Sequence, residues 1–86
     1  MNINELIEIV KSKIEAAIVI QDVQIEDKSF LHKNHKGNQE GMFHLKLIIK
    51  SDELKRLNKI ESTKKIYNIL DHELKEHIHS IQILLS

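Results

Sequence analysis

Apolar residues recur at helical spacing at the start of the chain. Ile3, Leu6, Ile7, Val10 and Ile14 share one face and Glu5, Glu8, Lys11 and Glu15 fill the other, which predicts an amphipathic helix over residues 3–16. Asn2 is placed to cap it, with Glu5 reaching back as in a capping box. From residue 19 to 26 the period shortens: Val23 and Ile25 alternate with Asp22, Gln24 and Glu26, the pattern of a half-buried strand. Residues 27–41 are polar, rich in Lys, His and Asn, and hold both glycines, Gly37 and Gly41. They read as a loop, long for so small a domain, and such loops are usually functional or disordered.

The clearest alternation follows. Phe43, Leu45, Leu47 and Ile49 interleave with His44, Lys46 and Lys50, giving a strand. Ser51 then caps a short helical turn over residues 52–57, with acidic residues in its first turn where the helix dipole favours them. A long helix is predicted over residues 60–75 with an apolar stripe of Ile60, Ile66, Tyr67, Leu70 and Leu74. Ile81, Ile83 and Leu85 mark a last strand. The predicted order is α-β-β-α-α-β, an α+β fold with a three-stranded sheet covered on one face by helices. With 86 residues, no internal repeat and no low-complexity linker, a single domain over residues 1–86 is expected.

Composition narrows the function classes. Thirteen basic and thirteen acidic residues cancel, so there is no global attraction to nucleic acid or to anionic membrane. Local cation patches remain: Lys55, Arg56, Lys59, Lys64 and Lys65 around the second helical region, with Lys33 and Lys36 in the loop. The chain has no cysteine, hence no disulfide, no thiol nucleophile and no thiolate ligand. Phe30, Phe43 and Tyr67 are its only aromatics and offer no platform for stacking bases. The polar, acidic start lacks the basic region of a signal peptide, and no apolar run approaches a membrane span. A soluble cytoplasmic protein is expected. An enzyme is not: the chain has no defensible nucleophile–base–acid order, no phosphate-cradling glycine loop and no H-E-x-x-H. Asp71, His72 and Glu73 are consecutive on a helix and point apart.

Six histidines are the unusual feature. His32, His35 and His44 lie in or beside the loop; His72, His77 and His79 lie near the end. His79 shares the parity of Ile81, Ile83 and Leu85, which directs it to their face at the strand's edge. His32 and His35 are spaced to share one metal if the loop bends helically there. His44 alternates to the polar face of its strand, as a sheet-surface residue or a partner orienting a ligand. For His72 and His77 the C-terminal dipole of the long helix is reason enough. Zinc, which accepts imidazole and carboxylate, would draw on His32, His35, His79 and Asp27. Without wider context, His79 reads as a half-buried histidine bonded to backbone and the loop histidines as solvated.

Several short motifs, in order and spacing, give that context. Asp27, Ser29, His32 and His35 resemble the D-x-S-x-x-H loop motif of the BolA-like family, with its further histidine. His44-Leu45-Lys46 resembles the family's histidine–aromatic strand start, with Leu for Phe, and Ser51-Asp52 the Ser-Asp that ends that strand. Tyr67 matches the tyrosine of the long helix, and Ile78-His79-Ser80-Ile81 is similar to the I/V-H-A-L signature, with Ser for Ala. Where the family often has Arg-His-Arg at the start of the long helix, this chain has Ser62-Thr63-Lys64, and the usual Phe after the second strand is Leu54.

The resemblance implies a class II KH-like fold. It also implies an adaptor that partners a monothiol glutaredoxin in [2Fe–2S] cluster assembly, transfer or iron sensing. Glutaredoxin and glutathione would supply thiolates to one iron, and His79 with His32 the imidazoles to the other. His35 is a further candidate ligand and His44 an orienting neighbour. Imidazole can replace thiolate at a [2Fe–2S] iron. No cofactor is expected on the isolated chain, and neither a membrane nor a small-molecule substrate. The alternative is a DNA-binding transcriptional regulator of morphology or stress response, using the basic surface of Lys55, Arg56, Lys59, Lys64 and Lys65. Gly37 and Gly41 do not form the Gly-x-x-Gly clamp of KH domains, having three residues between them, one a glutamate.

Overall fold

The structure, a computed structural model, describes residues 1–29 and 42–86. Most of the expected loop, with His32, His35, Lys33, Lys36 and both glycines, lies outside the described residues.

Helix α1 spans Ile3–Ala17 and buries Leu6, Val10 and Ile14, one residue per turn. Asn2 caps it: its Oδ1 accepts the Glu5 N–H at 2.8 Å, and its Nδ2 donates to Glu5 Oε1 at 3.1 Å. The first strand, β1, covers Asp22–Asp27, three residues later than the alternation predicts. The reason lies at Val19, whose carbonyl accepts the Ser51 Oγ–H at 2.8 Å rather than a ladder bond, while its side chain is exposed. Ladder bonding begins with the Gln21 N–H on the Lys50 carbonyl.

Strand β2, Phe43–Lys50, is central: β1 pairs with it antiparallel and β3, Ile78–Leu85, parallel. Leu45, Leu47 and Ile49 of β2 form the floor of the core with Leu6, Val10 and Ile14 of α1. A parallel pair needs a crossover, and three helices supply it: α2 at Asp52–Lys55, α3 at Lys59–Ile69 and α4 at Asp71–Glu76. Ser51 caps α2 through the Leu54 N–H, and Asn58 caps α3 with Glu61 just as Asn2 caps α1 with Glu5. None of the helices described is long and apolar enough to cross a membrane.

The single long helix expected over residues 60–75 is two. Leu70 leaves helical geometry at φ −100°, ψ 16°, yet its N–H still reaches the Ile66 carbonyl and its carbonyl accepts from Leu74. Asn68, Asp71 and His72 around the break are weak helix formers, and the bend keeps Leu70 fully buried while α4 turns towards β3. The buried face of α3 is Ser62, Ile66 and Leu70. Ile60 and Tyr67, expected in the stripe, are exposed at 67% and 43%. His72 falls in the first turn of α4, where the dipole does not favour a cation, so that account holds for His77 alone.

Both outer strands are sheet edges, and they differ. Edge β1 carries Asp22, Glu26 and Asp27; edge β3 carries no Asp, Glu, Lys or Arg. Because the Ser86 N–H bonds the Ile49 carbonyl, the two-residue period aims the N–H and C=O of Gln82 and Leu84 at β2. Those of Ile81 and Ile83 point away from the sheet. In hydrogen exchange the Gln82 and Leu84 amides are expected to outlast those of Ile81 and Ile83 by about tenfold or more. Equal protection would mean that something covers this edge.

Candidate functional site

Two of the four histidines that the structure describes, His44 and His79, meet where β2 and β3 begin, beside the end of β1. Asp27 Oδ1 accepts the Ser29 N–H at 2.9 Å, closing a turn at the end of β1. Ser29 Oγ then accepts the His44 N–H at 3.1 Å, and the Lys28 N–H donates to the His44 carbonyl at 2.7 Å. Asp-x-Ser thus fastens the entrance of the loop to the start of β2. Asp27 serves this turn through Oδ1.

On the other side, the ladder between β2 and β3 slips. Phe43 aligns with Ile78, but His44 aligns with Ser80, so His79 is the extra residue of a bulge. This changes the expected parity. Ile78 and Ile81, three apart, are the buried and half-buried positions, and His79 and Ser80 between them are exposed. His79 therefore does not continue the core-facing row of Ile81, Ile83 and Leu85. It stands out at the bulge with its ring centroid 5.0 Å from that of His44, the planes tilted by 36°.

Of the two readings of His44, sheet-surface residue or orienting partner, burial removes the first. His44 is 5% exposed, and its Nδ1 lies 2.6 Å from Ser80 Oγ, one hydrogen bond whose direction follows the imidazole tautomer. That bond fixes the His44 ring and so the surface against which His79 rests. Among the described residues the His79 side chain makes no hydrogen bond. The arrangement presents one exposed imidazole beside a second, anchored one. Among the described residues no three His, Cys, Asp or Glu side chains come together to hold a metal ion. Of the zinc set, His32 and His35 lie outside the described residues, and Asp27 accepts the Ser29 N–H through Oδ1.

Ser29 and Ser80, motif positions to which the sequence assigns no role, hold His44 by its backbone and its ring. Ser80 was legible as a hydroxyl where an alanine is expected, one residue from His79, but only the bulge reveals that it faces His44.

The basic residues group elsewhere, on α2 and α3. Lys55, Arg56, Lys59 and Lys64 are exposed. Lys65 is half-buried and bonded to Glu53 at 3.1 Å, which removes it from an open cationic surface.

The family model described as BolA-like protein matches residues 14–86, from the last turn of α1 through the end of β3 and across every residue of the site. The chain belongs to the BolA-like family. A Haemophilus influenzae protein named DNA-binding transcriptional regulator BolA is 30% identical over 78 residues, 91% of this chain and 73% of that one. Solved BolA structures carry the same fold. The BolA domain of SufE1 from Arabidopsis thaliana superposes with a TM-score of 0.78 at 24% identity, covering 100% of this chain and 93% of that one. BolA1 from the same plant gives 0.75 at 24% identity, covering 90% and 85%. This BolA-like chain therefore has its family's α+β architecture, and three of the segments that carry its resemblance in sequence, Asp27 with Ser29, His44, and His79 with Ser80, are drawn by the fold to one end of the sheet, while Ser51-Asp52 and Tyr67 lie elsewhere.

Proposed function

We propose that this BolA-like protein is a non-enzymatic adaptor that shares a [2Fe–2S] cluster with a monothiol glutaredoxin in cluster assembly, transfer or iron sensing. The observation that carries the reading is the exposed His79 imidazole at the β3 bulge, set against a His44 ring held by Ser80. The cluster is cargo held jointly. A chain without cysteine cannot complete a [2Fe–2S] site, and no three ligating side chains meet among the described residues. The donor set fits half a site: imidazole from His79, with His32 the candidate second ligand, and thiolates from glutaredoxin and glutathione. In this reading His44 is a positioning residue, acting on His79 through ring contact. Titrating a cluster-loaded glutaredoxin with wild type and with His79→Ala, followed by visible absorption and circular dichroism, tests the proposal.

A second reading has its own support. The Haemophilus influenzae relative is named a DNA-binding regulator, and Lys55, Arg56, Lys59 and Lys64 are exposed and, among the described residues, make no ion pair. If duplex DNA is bound through this face, Lys59→Glu with Lys64→Glu is expected to lower the salt slope of binding by about 2 and to remove most of the affinity. Binding by the double variant equal to wild type at low salt would eliminate α2 and α3 as the DNA surface.

A further inference from the structure

The C-terminal half of β3, away from His79, has features that a cluster site does not use. Ile81, Ile83 and Leu85 aim their backbone N–H and C=O groups away from the sheet, and no described residue bonds them. Such a row is a template for another strand. Proteins normally blunt it with charge, proline or a covering element, as Asp22, Glu26 and Asp27 do on the β1 edge; residues 81–85 of β3 include no ionisable side chain and no proline. Beside it runs a groove of about 350 Å³ lined by Leu54, Leu57, Ile83, Leu84 and Leu85, with the exposed Lys55 and Lys59 also in its lining. Backbone hydrogen bonds from the edge and apolar sockets beside it are the two requirements for strand addition.

We propose that this edge and groove receive an extended peptide segment of a partner protein, in which apolar residues alternate and at least one carboxylate meets Lys55 or Lys59. Charge decides between occupants. A second copy pairing through its own β3 would bring no carboxylate, since that strand has none, and would leave Lys55 and Lys59 unanswered. Both lysines are exposed and, among the described residues, in no ion pair. A single-stranded nucleic acid would find cations, but the groove has no aromatic side chain on which a base could stack. The inference is independent of what His79 binds: the peptide lies along residues 81–85 and the imidazole at the bulge.

The test is a selection of random twelve-residue peptides displayed on phage against the whole protein, followed by synthesis of the enriched sequences. Enriched peptides should alternate apolar residues and carry Asp or Glu. They should shift and protect the Ile81 and Ile83 amides in NMR spectra of the labelled protein. Lys55→Glu with Lys59→Glu, both exposed and harmless to folding, should weaken binding at least about tenfold. N-methylation of alternate peptide amides should abolish binding in one phase and spare it in the other, because only every second amide faces the edge; this arm leaves the protein unaltered. The proposal is overturned if no peptide is enriched, if enriched peptides perturb other residues, or if binding ignores the N-methyl phase. It is equally overturned if an oligo-dT decamer binds these amides more tightly than any peptide, or if the free protein already covers them by self-association in sedimentation.

Discussion

Replacing Lys13 by methionine is expected to destabilise the protein by about 1–3 kcal/mol, whereas replacing its partner Glu73 by leucine is expected to cost little or to stabilise. The Glu73 side chain is 4% exposed; its Oε2 accepts from Lys13 Nζ at 2.6 Å, and among the described residues its Oε1 has no partner. Removing the ammonium leaves a desolvated carboxylate with nothing to answer it, while removing the carboxylate leaves a lysine whose end reaches water, its side chain being 41% exposed. That exposure also screens the pair and keeps the expected loss below that of a fully buried bridge. The double variant should match Glu73→Leu, since once the carboxylate is gone the ammonium has nothing to pair. Urea unfolding of the three variants at neutral pH checks this, and equal losses from the two single substitutions would refute it. The pair matters beyond stability. It pins α4 to α1, and α4 leads directly into Ile78 and His79.

Much of this architecture is legible because its elements are amphipathic. Leu6, Val10 and Ile14 declare α1, and the alternation from Phe43 to Lys50, interrupted only at Ile48, declares β2. The errors fall where a tertiary contact outweighs a local pattern. Val19 looks like the start of a strand, but its carbonyl goes to Ser51, distant in sequence. Ile60 and Tyr67 look like core on helical spacing, but α3 is rotated so that Ser62, Ile66 and Leu70 face inward, with Ser62 satisfied by the Lys59 carbonyl. Glu73 is legible only as one of three consecutive helix residues that point apart, and its burial and its pairing with Lys13 of α1 emerge only in space.

The site divides in the same way. That His79 and His44 belong together follows from motif order, not from any periodicity, since they sit on different strands. A bulge has no sequence signature here, so parity aims His79 at the wrong face and hides the burial of His44. The serines complete the picture only in space: Ser29 and Ser80 hold His44 by its backbone and its ring respectively. The same bulge that defeats the parity argument is what exposes His79, so the irregularity and the candidate function are one feature of the fold.

With His79→Ala, the spectral change that wild type produces on titration into cluster-loaded glutaredoxin is expected to vanish. Wild type should saturate at one chain per glutaredoxin, because each chain offers one exposed bulge imidazole. Since His79 is exposed and its side chain makes no hydrogen bond among the described residues, the substitution should leave the unfolding midpoint unchanged, and loss of the signal cannot then be put down to misfolding. His44→Ala should behave differently. Its ring is buried and bonded to Ser80, so the variant should lose some stability and weaken the complex without changing the spectrum of what still forms. The decisive variant is His79→Cys. A thiolate can stand where the imidazole stood, so the complex should form again, but with an altered dichroism spectrum and a lower reduction potential, because imidazole ligation raises the potential of a [2Fe–2S] centre. A surface role for His79 predicts instead that alanine and cysteine behave alike and that the potential stays put. Wild-type titration that leaves the glutaredoxin spectrum unchanged would defeat the shared-cluster reading for that glutaredoxin and bring the exposed lysines of α2 and α3 forward as the working surface.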